Sequence, residues 1–549
     1  MRVSLTGRAR RGGALRLVVG ALMLAPLVLR LVDADAAGGS GAPTVHTKPP
    51  PLRGGWRVPR PFEGQYGITL TSAILALAPF IVITTAYALF TEQVGQALHI
   101  DRTGLEIIAG LSTAGYAWGA LFGGDIVQRL PQRPLFLVCE ALFVVGCLLS
   151  AVAPGAVTYG AGRVLSGLAT GLLLVVALPP VIQKFPAAKM PITVVAVNIG
   201  FFGAVCIGPL LGGWVAAGHH WRWFFGGLAA LAFAKSLLAA LTLPDQKPQN
   251  PGMRFDWPAL VLALGGTVLP FWAVGLLSRH GFASAWFAAP LFVGLLCFVG
   301  LLLLEYHHRD PLSPVQPMWT TLSVVGTLVA MVAGAVFVTF LELGERFQMQ
   351  VQHQSPLQTG ILFWPLAVGV VITAALFGAI LRTRFIPVLI LAGMAALMGG
   401  GGMLLAAVPG GGGGITLGAA GLLGLGAGAT VSPGLYLAGF PLPVKIIGRI
   451  FALIELVRSL ADYLLAPVML RIAEAASGGV LNPHGIALAL WITVLVSIVL
   501  TGFGVFLYVG GGAGLAAPDL EKWLSKAGSA MESPRLLARL RRCSDRQRD

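Results

Sequence analysis

Three ionisable residues interrupt an otherwise apolar run. Glu455, Arg458 and Asp462 stand at i, i+3 and i+7, so a helix would carry all three on one face. Two carboxylates flanking a guanidinium can take up or release a proton as the distances between the charges change. The same three can also neutralise one another and simply order the wall they belong to. A fourth group, Arg163, falls about two turns inside another apolar run, where a cation is costly unless it meets a wet cavity or a partner. Metal chemistry has no comparable cluster. Cys139, Cys147, Cys206 and Cys297 lie singly in apolar runs as packing residues, Cys543 lies near the C-terminus, and His219 and His220 sit beside Trp221 as interfacial groups. No metal, no cofactor and no enzymatic reaction is expected.

The elements that must position these charges are membrane helices. Of 549 residues 56% are hydrophobic and 11% charged, and the mean hydropathy is +0.83. Apolar runs of about twenty residues recur, each long enough to span a bilayer as a helix. The pattern predicts an all-α polytopic membrane protein with 14 transmembrane helices between residues 67 and 510. The net charge of +15 concentrates in residues 1–60 and 522–548, outside the apolar runs. Basic tails of that kind suit anionic lipids on the cytoplasmic side rather than nucleic acid.

Residues 1–66 read as a basic, Pro- and Gly-rich tail. Its apolar stretch from Leu17 to Leu29 imitates a leader, but Pro26 and Arg30 interrupt it, which favours an uncleaved or wrongly assigned segment. Loops assigned to the inside are rich in base (Arg129, Arg133, Lys184, Lys189, Lys247, Arg254, Arg309, Arg382, Arg384, Lys445, Arg449). Those assigned to the outside hold Arg102, Arg222, Arg279, Arg346 and Arg471. The bias predicts both termini in the cytoplasm.

One helix is patterned for close approach. Gly200, Ala204, Gly208 and Gly212 recur every four residues and form a stripe nearly free of side chain, with Pro209 set inside it to bend the helix. This stretch, with Gly208-Pro209, Gly212-Gly213 and the following Trp221-Arg222-Trp223, resembles the fifth-helix antiporter motif of the fourteen-span drug:proton antiporters, a branch of the major facilitator superfamily. Gly124, Arg129 and Arg133 resemble that superfamily's gating loop, although Gln128, Pro131 and Gln132 replace its Asp, second Gly and first paired Arg. Arg163-x-x-Ser166-Gly167 is similar to its fourth-span motif. Gln348, Ser355-Pro356-Leu357, Thr359-Gly360 and Pro365 resemble its ninth-to-tenth junction, and Gly424, Gly426, Gly428, Pro433 and Gly448-Arg449 its twelfth span and following loop. Read as a phosphate-cradling turn, the Gly424 series lacks the necessary strand and Lys.

The resemblance implies two six-helix bundles plus an inserted helix pair. The first half would occupy residues 67–243, the inserted pair 244–310, the second half 311–510 and a basic cytoplasmic tail 511–549. It also implies halves that rock about a central site and a secondary active transporter in the cell inner membrane. Its expected activity is proton-coupled export of hydrophobic or amphipathic small molecules. Alternatives are a facilitator or symporter of a small metabolite, or a non-transporting sensor or assembly protein on the same fold. Expected partners are a small-molecule substrate, protons, anionic lipids at the tails and a periplasmic adaptor protein.

The family commonly places an acid in the first span, whereas this chain has Leu77-Ala78-Pro79-Phe80. Coupling is therefore expected at Asp462, with Arg163 setting its proton affinity, Glu455 neutralising Arg458, and Asp462 left free to respond. Glu342 and Glu345 are expected as vestibule charges. Glu140 and Lys235, at similar depth in spans three and six, are expected to pair.

Overall fold

The computed structural model describes residues 65–539 apart from 184, 244–247, 249–254, 309–310 and 411–412. The leader-like segment, Lys184, Lys247, Arg254, Arg309 and Cys543 lie outside the described residues. The first six long helices are α1 (Tyr66–Leu98), α2 (Arg102–Arg129), α3 (Gln132–Val152), α4 (Ala156–Gln183), α5 (Met190–Gly218) and α6 (Trp221–Thr242). Next come α7 (Trp257–His280) and α8 (Ala285–His307). A second set follows: α9 (Thr321–Arg346), α10 (Pro356–Ile380), α11 (Ile386–Gly410), α12 (Gly413–Gly439), α13 (Ile447–Ala476) and α14 (Pro483–Gly511). Thirteen of these are long and apolar enough to cross a membrane; α13 is as long but too highly charged to meet that measure.

Local sequence marks many helix starts. Asp101 accepts from Gly104 N at 3.0 Å, Asn482 from Gly485 N at 2.9 Å, and Ser355 with Gln358 forms a capping box ahead of Pro356. Helices α1 and α5 end on His99 and His219 in the left-handed conformation, φ 53° and 56°, where their N–H groups close onto the last carbonyls.

The two sets repeat one arrangement. In the first, α2 packs on α4, α1 on α5 and α3 on α6; in the second, α10 packs on α12, α9 on α13 and α11 on α14. Helices α3 and α6 are tied three times. Arg133, at the start of α3, donates to Ala240 O near the end of α6 at 2.6 Å. Arg222, at the start of α6, donates to Ala151 O and Ala153 O at the end of α3 at 2.8 and 3.0 Å. Each arginine thereby satisfies carbonyls that a helix end leaves unpaired. Midway, Lys235 Nζ lies 3.0 Å from Glu140 Oε1, both side chains buried, so the expected pair forms.

Two seams join the halves. On one, α5 lies along α10. A Cβ on Gly213 would stand 2.6 Å from Pro356 O, one on Gly360 would press on the Pro209 backbone, and one on Gly378 would meet Val195 and Pro191. The stripe of Gly200, Gly208 and Gly212 faces α1 instead, against Ile74, Thr85 and Ala86, so α5 uses two faces for two close approaches. On the other seam α2 lies along α13, and α7 covers it by packing on both. Helix α8 packs on α7, and its buried Phe287, Gly294 and Leu301, seven residues apart, form a single stripe. Helices α7 and α8 thus pack beside the second seam, outside the two repeated sets of six.

The end of the bundle holding Gln65 and residues 513–539, here the tail end, is covered by the C-terminal segment. The short α15 (Leu520–Leu524) lies against residues 187–189. Trp523 is fully buried, donates to Leu442 O at 2.8 Å and packs edge-on to Phe440 with ring centroids 5.4 Å apart. Pro534 O accepts from Thr321 N and Ser533 Oγ from Leu322 N, both at 2.9 Å, so the segment caps the first turn of α9.

Candidate functional site

Both halves line one central cavity of about 450 Å³. Its lining includes Leu77 and Phe80 of α1, Arg163 and Leu178 of α4, Asn198 and Phe201 of α5, Phe337 of α9, Tyr436 of α12, and Phe451 to Glu474 of α13. At the far end the lining reaches Arg102, Glu342, Glu345, Arg346 and Glu474; at the tail end it stops at Leu178, Tyr436 and Phe451, about a turn short of the helix ends. Most of the wall is aromatic or aliphatic, which suits an apolar guest positioned by a few polar groups.

The face-sharing charges of α13 lie in this wall. Arg458 pairs with Glu455 through two nitrogens, Nε at 3.0 Å and Nη2, and with Asp462 Oδ2 at 2.5 Å through Nη1. The expected Glu455–Arg458 pair therefore forms without releasing Asp462, which shares the same guanidinium. The guanidinium has two edges, and a planar fork on a helix reaches both i−3 and i+4.

Glu455 also accepts from Tyr116 Oη of α2 at 2.7 Å, and Tyr116 stacks on Phe80 with centroids 5.4 Å apart. The stretch where the family places a first-span acid thus holds a ring supporting a phenol that reaches a carboxylate of the opposite half. Neither tyrosine of this seam was singled out from sequence. Tyr463, one residue beyond Asp462, donates to Glu106 O at 2.8 Å.

Arg163 is 1% exposed and lines the cavity, but it has no ion pair among the described residues. Its guanidinium lies 5.1 Å from the Tyr87 ring centroid and 5.8 Å from that of Phe225, and its Nε and Nη1 have no hydrogen-bond partner among the described residues. No ion pair joins it to Asp462. The rest of its motif is structural: Ser112 Oγ donates to Arg163 O at 2.8 Å, and Gly167 admits the Ser112 backbone.

The gating-loop residues come together at the tail end. Arg129 pairs with Asp125 at 2.5 Å and lies 3.8 Å from the centroid of Phe255, just before α7. Gly124 faces Ala452 and Arg449 of α13, and Arg449 donates to Pro311 O at 3.1 Å. Asp125 went unnoticed because the family's acid aligns with Gln128, yet its i, i+4 spacing to Arg129 was a usable signal. Gln132 does not mimic an arginine's charge; it donates to Val176 O of α4 at 2.7 Å. Asn198 of α5 donates to Gly428 O of α12 at 3.2 Å, a further link between halves. Glu342 and Glu345, expected as vestibule charges, line the cavity, and Glu345 is 3% exposed. Among the described residues no cluster suits a metal ion.

A helical membrane bundle of two repeated halves around one shared cavity defines a transporter architecture. The chain belongs to the Major Facilitator Superfamily, whose family model matches residues 68–465. It is similar to the Multidrug resistance protein B homolog of Mycobacterium tuberculosis, 24% identical over 378 residues, covering 67% of this chain and 68% of that protein. It is also similar to the Puromycin resistance protein pur8 of Streptomyces alboniger, 25% identical over 427 residues, covering 75% and 83%. Among other curated relatives the chain spans 49 to 65% of their length. The fold is shared with a solved POT family transporter bound to a thioalcohol-conjugated peptide, with a TM-score of 0.58, 12% identity, and 80% and 95% of the two chains covered.

Proposed function

We propose that this protein is a secondary active transporter of the inner membrane that exports hydrophobic or amphipathic small molecules in exchange for protons, with 14 spans and the tail end in the cytoplasm. The observation that carries the reading is the charge group of α13 in the wall of the shared cavity. Arg458 serves two carboxylates at once, and Tyr116 donates to one of them from the other half. Movement at the α2–α13 seam would remove the phenol from Glu455, and Glu455 would then draw more of Arg458 away from Asp462. A carboxylate that loses a cation in an apolar wall gains affinity for a proton. One rocking motion can therefore load Asp462 on one side and unload it on the other. The resistance and multidrug relatives support drug export.

Everted vesicles test this directly. Accumulation of a drug panel should follow an imposed proton gradient and fall to background in Asp462→Asn. Full proton-driven transport by Asp462→Asn with loss in Glu455→Gln would reverse the two roles, and normal transport by both would remove the group from coupling. A facilitator, the reading favoured by a first span whose Leu77-Ala78-Pro79-Phe80 stretch holds no acid, would equilibrate its substrate whether or not the gradient is collapsed. Reporter fusion at Gly511 checks orientation, with cytoplasmic activity expected.

A further inference from the structure

The C-terminal segment is bonded to one half and only leans on the other. Its grip on the second half is dense. Beyond the bonds of Trp523, Ser533 and Pro534 described above, Phe440 O at the tail end of α12 accepts from Ala530 N at 2.8 Å and Met531 N at 3.2 Å, and Arg535 O accepts from Thr321 Oγ1 at 3.1 Å. Asp519 N donates to Ala530 O at 2.9 Å, and the Asp519 side chain caps α15, so residues 519–531 close on themselves as one shaped piece. No hydrogen bond joins this piece to the first half among the described residues. There α15 lies against residues 187–189, and Ala187 packs on the apolar cluster that holds the buried Leu520 and Trp523. That loop belongs to the tail-end closure: Ala187 O also accepts from Arg382 Nη2, beyond α10, at 2.9 Å, and Gln183 at the end of α4 donates to Val444 O, before α13, at 3.1 Å.

Resting on the transport reading above, we infer that residues 513–539 are a latch, anchored to the second half and resting on the first, that holds the tail end shut and biases the transporter toward the state open at the far end. A contact shifts an equilibrium only as far as it differs between the two states. The polar anchor does not differ, because every partner it uses belongs to the second half and rides with it. The apolar rest does differ. Rocking that opens the tail end parts residues 187–189 from the loop between α12 and α13, strips Ala187 from Leu520 and gives both to water. Dispersion falls away over a small gap, and no hydrogen bond is at hand to bridge it, so this contact is made in one state and lost in the other. The shape of the segment depends on its seat. Lys526 and Leu537 hold left-handed φ values of 62° and 58°, which residues with side chains keep only when surrounding contacts impose them. Trp523, fully buried at the centre of that seat, is the side chain that sets the latch.

Double electron–electron resonance on the full chain in lipid nanodiscs, with its native cysteines replaced, tests this. Spin labels go on Leu130→Cys and Arg384→Cys, exposed positions on tail-end loops of the first and second half and outside the segment itself. The parent should show mainly one short distance. Trp523→Ala should raise the population of a longer, tail-open distance at least about fivefold, and Trp523→Phe, which keeps a ring but not the bond to Leu442, should fall between the two. Ala187→Asp leaves the anchor untouched, disturbs only the resting contact, and should reproduce the rise seen with Trp523→Ala. A melting temperature within a few degrees of the parent certifies that Trp523→Ala is folded; if it unfolds, Ala187→Asp must show the rise by itself. Unchanged distances in both folded variants would overturn the inference. So would a rise confined to one of the two folded variants, because anchor and rest would then not act as one device. Absence of gradient-driven transport in the parent, with the distance shifts present, would overturn the transport reading and leave the latch standing.

Discussion

The two seams that join the halves occupy equivalent places in the repeat and are built from opposite chemistry. Along α5–α10 the backbones meet through Gly213, Gly360 and Gly378, with little side chain between them. Along α2–α13 the contacts are polar: Arg102 with Glu474 at the far end, Tyr463 with Glu106 O, Tyr116 with Glu455, and Gly124 beside Arg449 at the tail end. Close-packed small residues gain dispersion from a smooth fit and lose it steeply when parted. Hydrogen bonds and ion pairs can be exchanged one for another at smaller net cost. The first seam is suited to act as a bearing and the second as the site where motion and protonation meet. The inserted pair packs along the second, with Phe255 on Arg129 and Pro311 on Arg449, so its connecting segments touch a basic residue of each half.

The largest effect is expected from removing the cation of the polar seam. Arg458→Met leaves Glu455 and Asp462 buried without their partner, and loss of one member of such a group costs about 3 to 5 kcal/mol. Thermal unfolding should show a strong drop that the triple variant Glu455→Gln, Arg458→Met, Asp462→Asn largely restores, with proton-driven transport absent from both. A triple variant no more stable than Arg458→Met would mean that packing, not charge, sets the stability of this seam.

Glycine substitutions come next and separate the seams. A Cβ at Gly360 would press on the backbone of Pro209, which cannot yield, whereas one at Gly124 finds Ala452 Cβ at 3.6 Å and Arg449 Cα at 3.8 Å, ordinary contact distances. Overpacking of this sort costs about 1 to 3 kcal/mol. Gly360→Ala should lower the unfolding temperature and impair transport, and Gly124→Ala should do neither. Equal sensitivity would erase the distinction drawn here.

The smallest effect belongs to the far-end ion pair. Arg102 is 56% exposed at its side chain, so its pairing with Glu474 is screened and contributes about 0 to 1 kcal/mol. Arg102→Ala should leave the unfolding temperature nearly unchanged. It should raise the labelling rate of a cysteine placed at Thr103 as the far end opens more often, and high salt should produce the same increase in the parent protein.

Much of this architecture was written in local pattern. Apolar runs marked the helices, and four-residue glycine spacing marked α5 as a close-packing element, although which glycines face α1 and which face α10 was not legible. Matched depth, together with the side-by-side placement of spans three and six that the family resemblance implies, predicted that Glu140 and Lys235 would pair, because an unpaired charge facing lipid is more costly than a pair. Arg163 and Asp462, expected to act together through a distance that changes with the motion of the halves, form no ion pair in this conformation. Arg458 on the same helix reached Asp462 first, and aromatic rings at Tyr87 and Phe225 took up the space beside Arg163.

By itself the sequence determined an all-α membrane bundle, its order of helices, its two worn repeats and the face on which Glu455, Arg458 and Asp462 lie. Each of these depends on periodicity within one helix or on transfer from water to an apolar phase, and both are properties of short stretches of chain. Tertiary structure decided how Arg458 divides itself between two carboxylates, that Tyr116 reaches Glu455 across the halves, that Asp125 holds Arg129, and that Glu345 alone among the cavity carboxylates has no ion pair among the described residues. Those outcomes turn on distances between side chains of helices far apart in the chain, where a rotation of one helix by a single residue changes which groups meet.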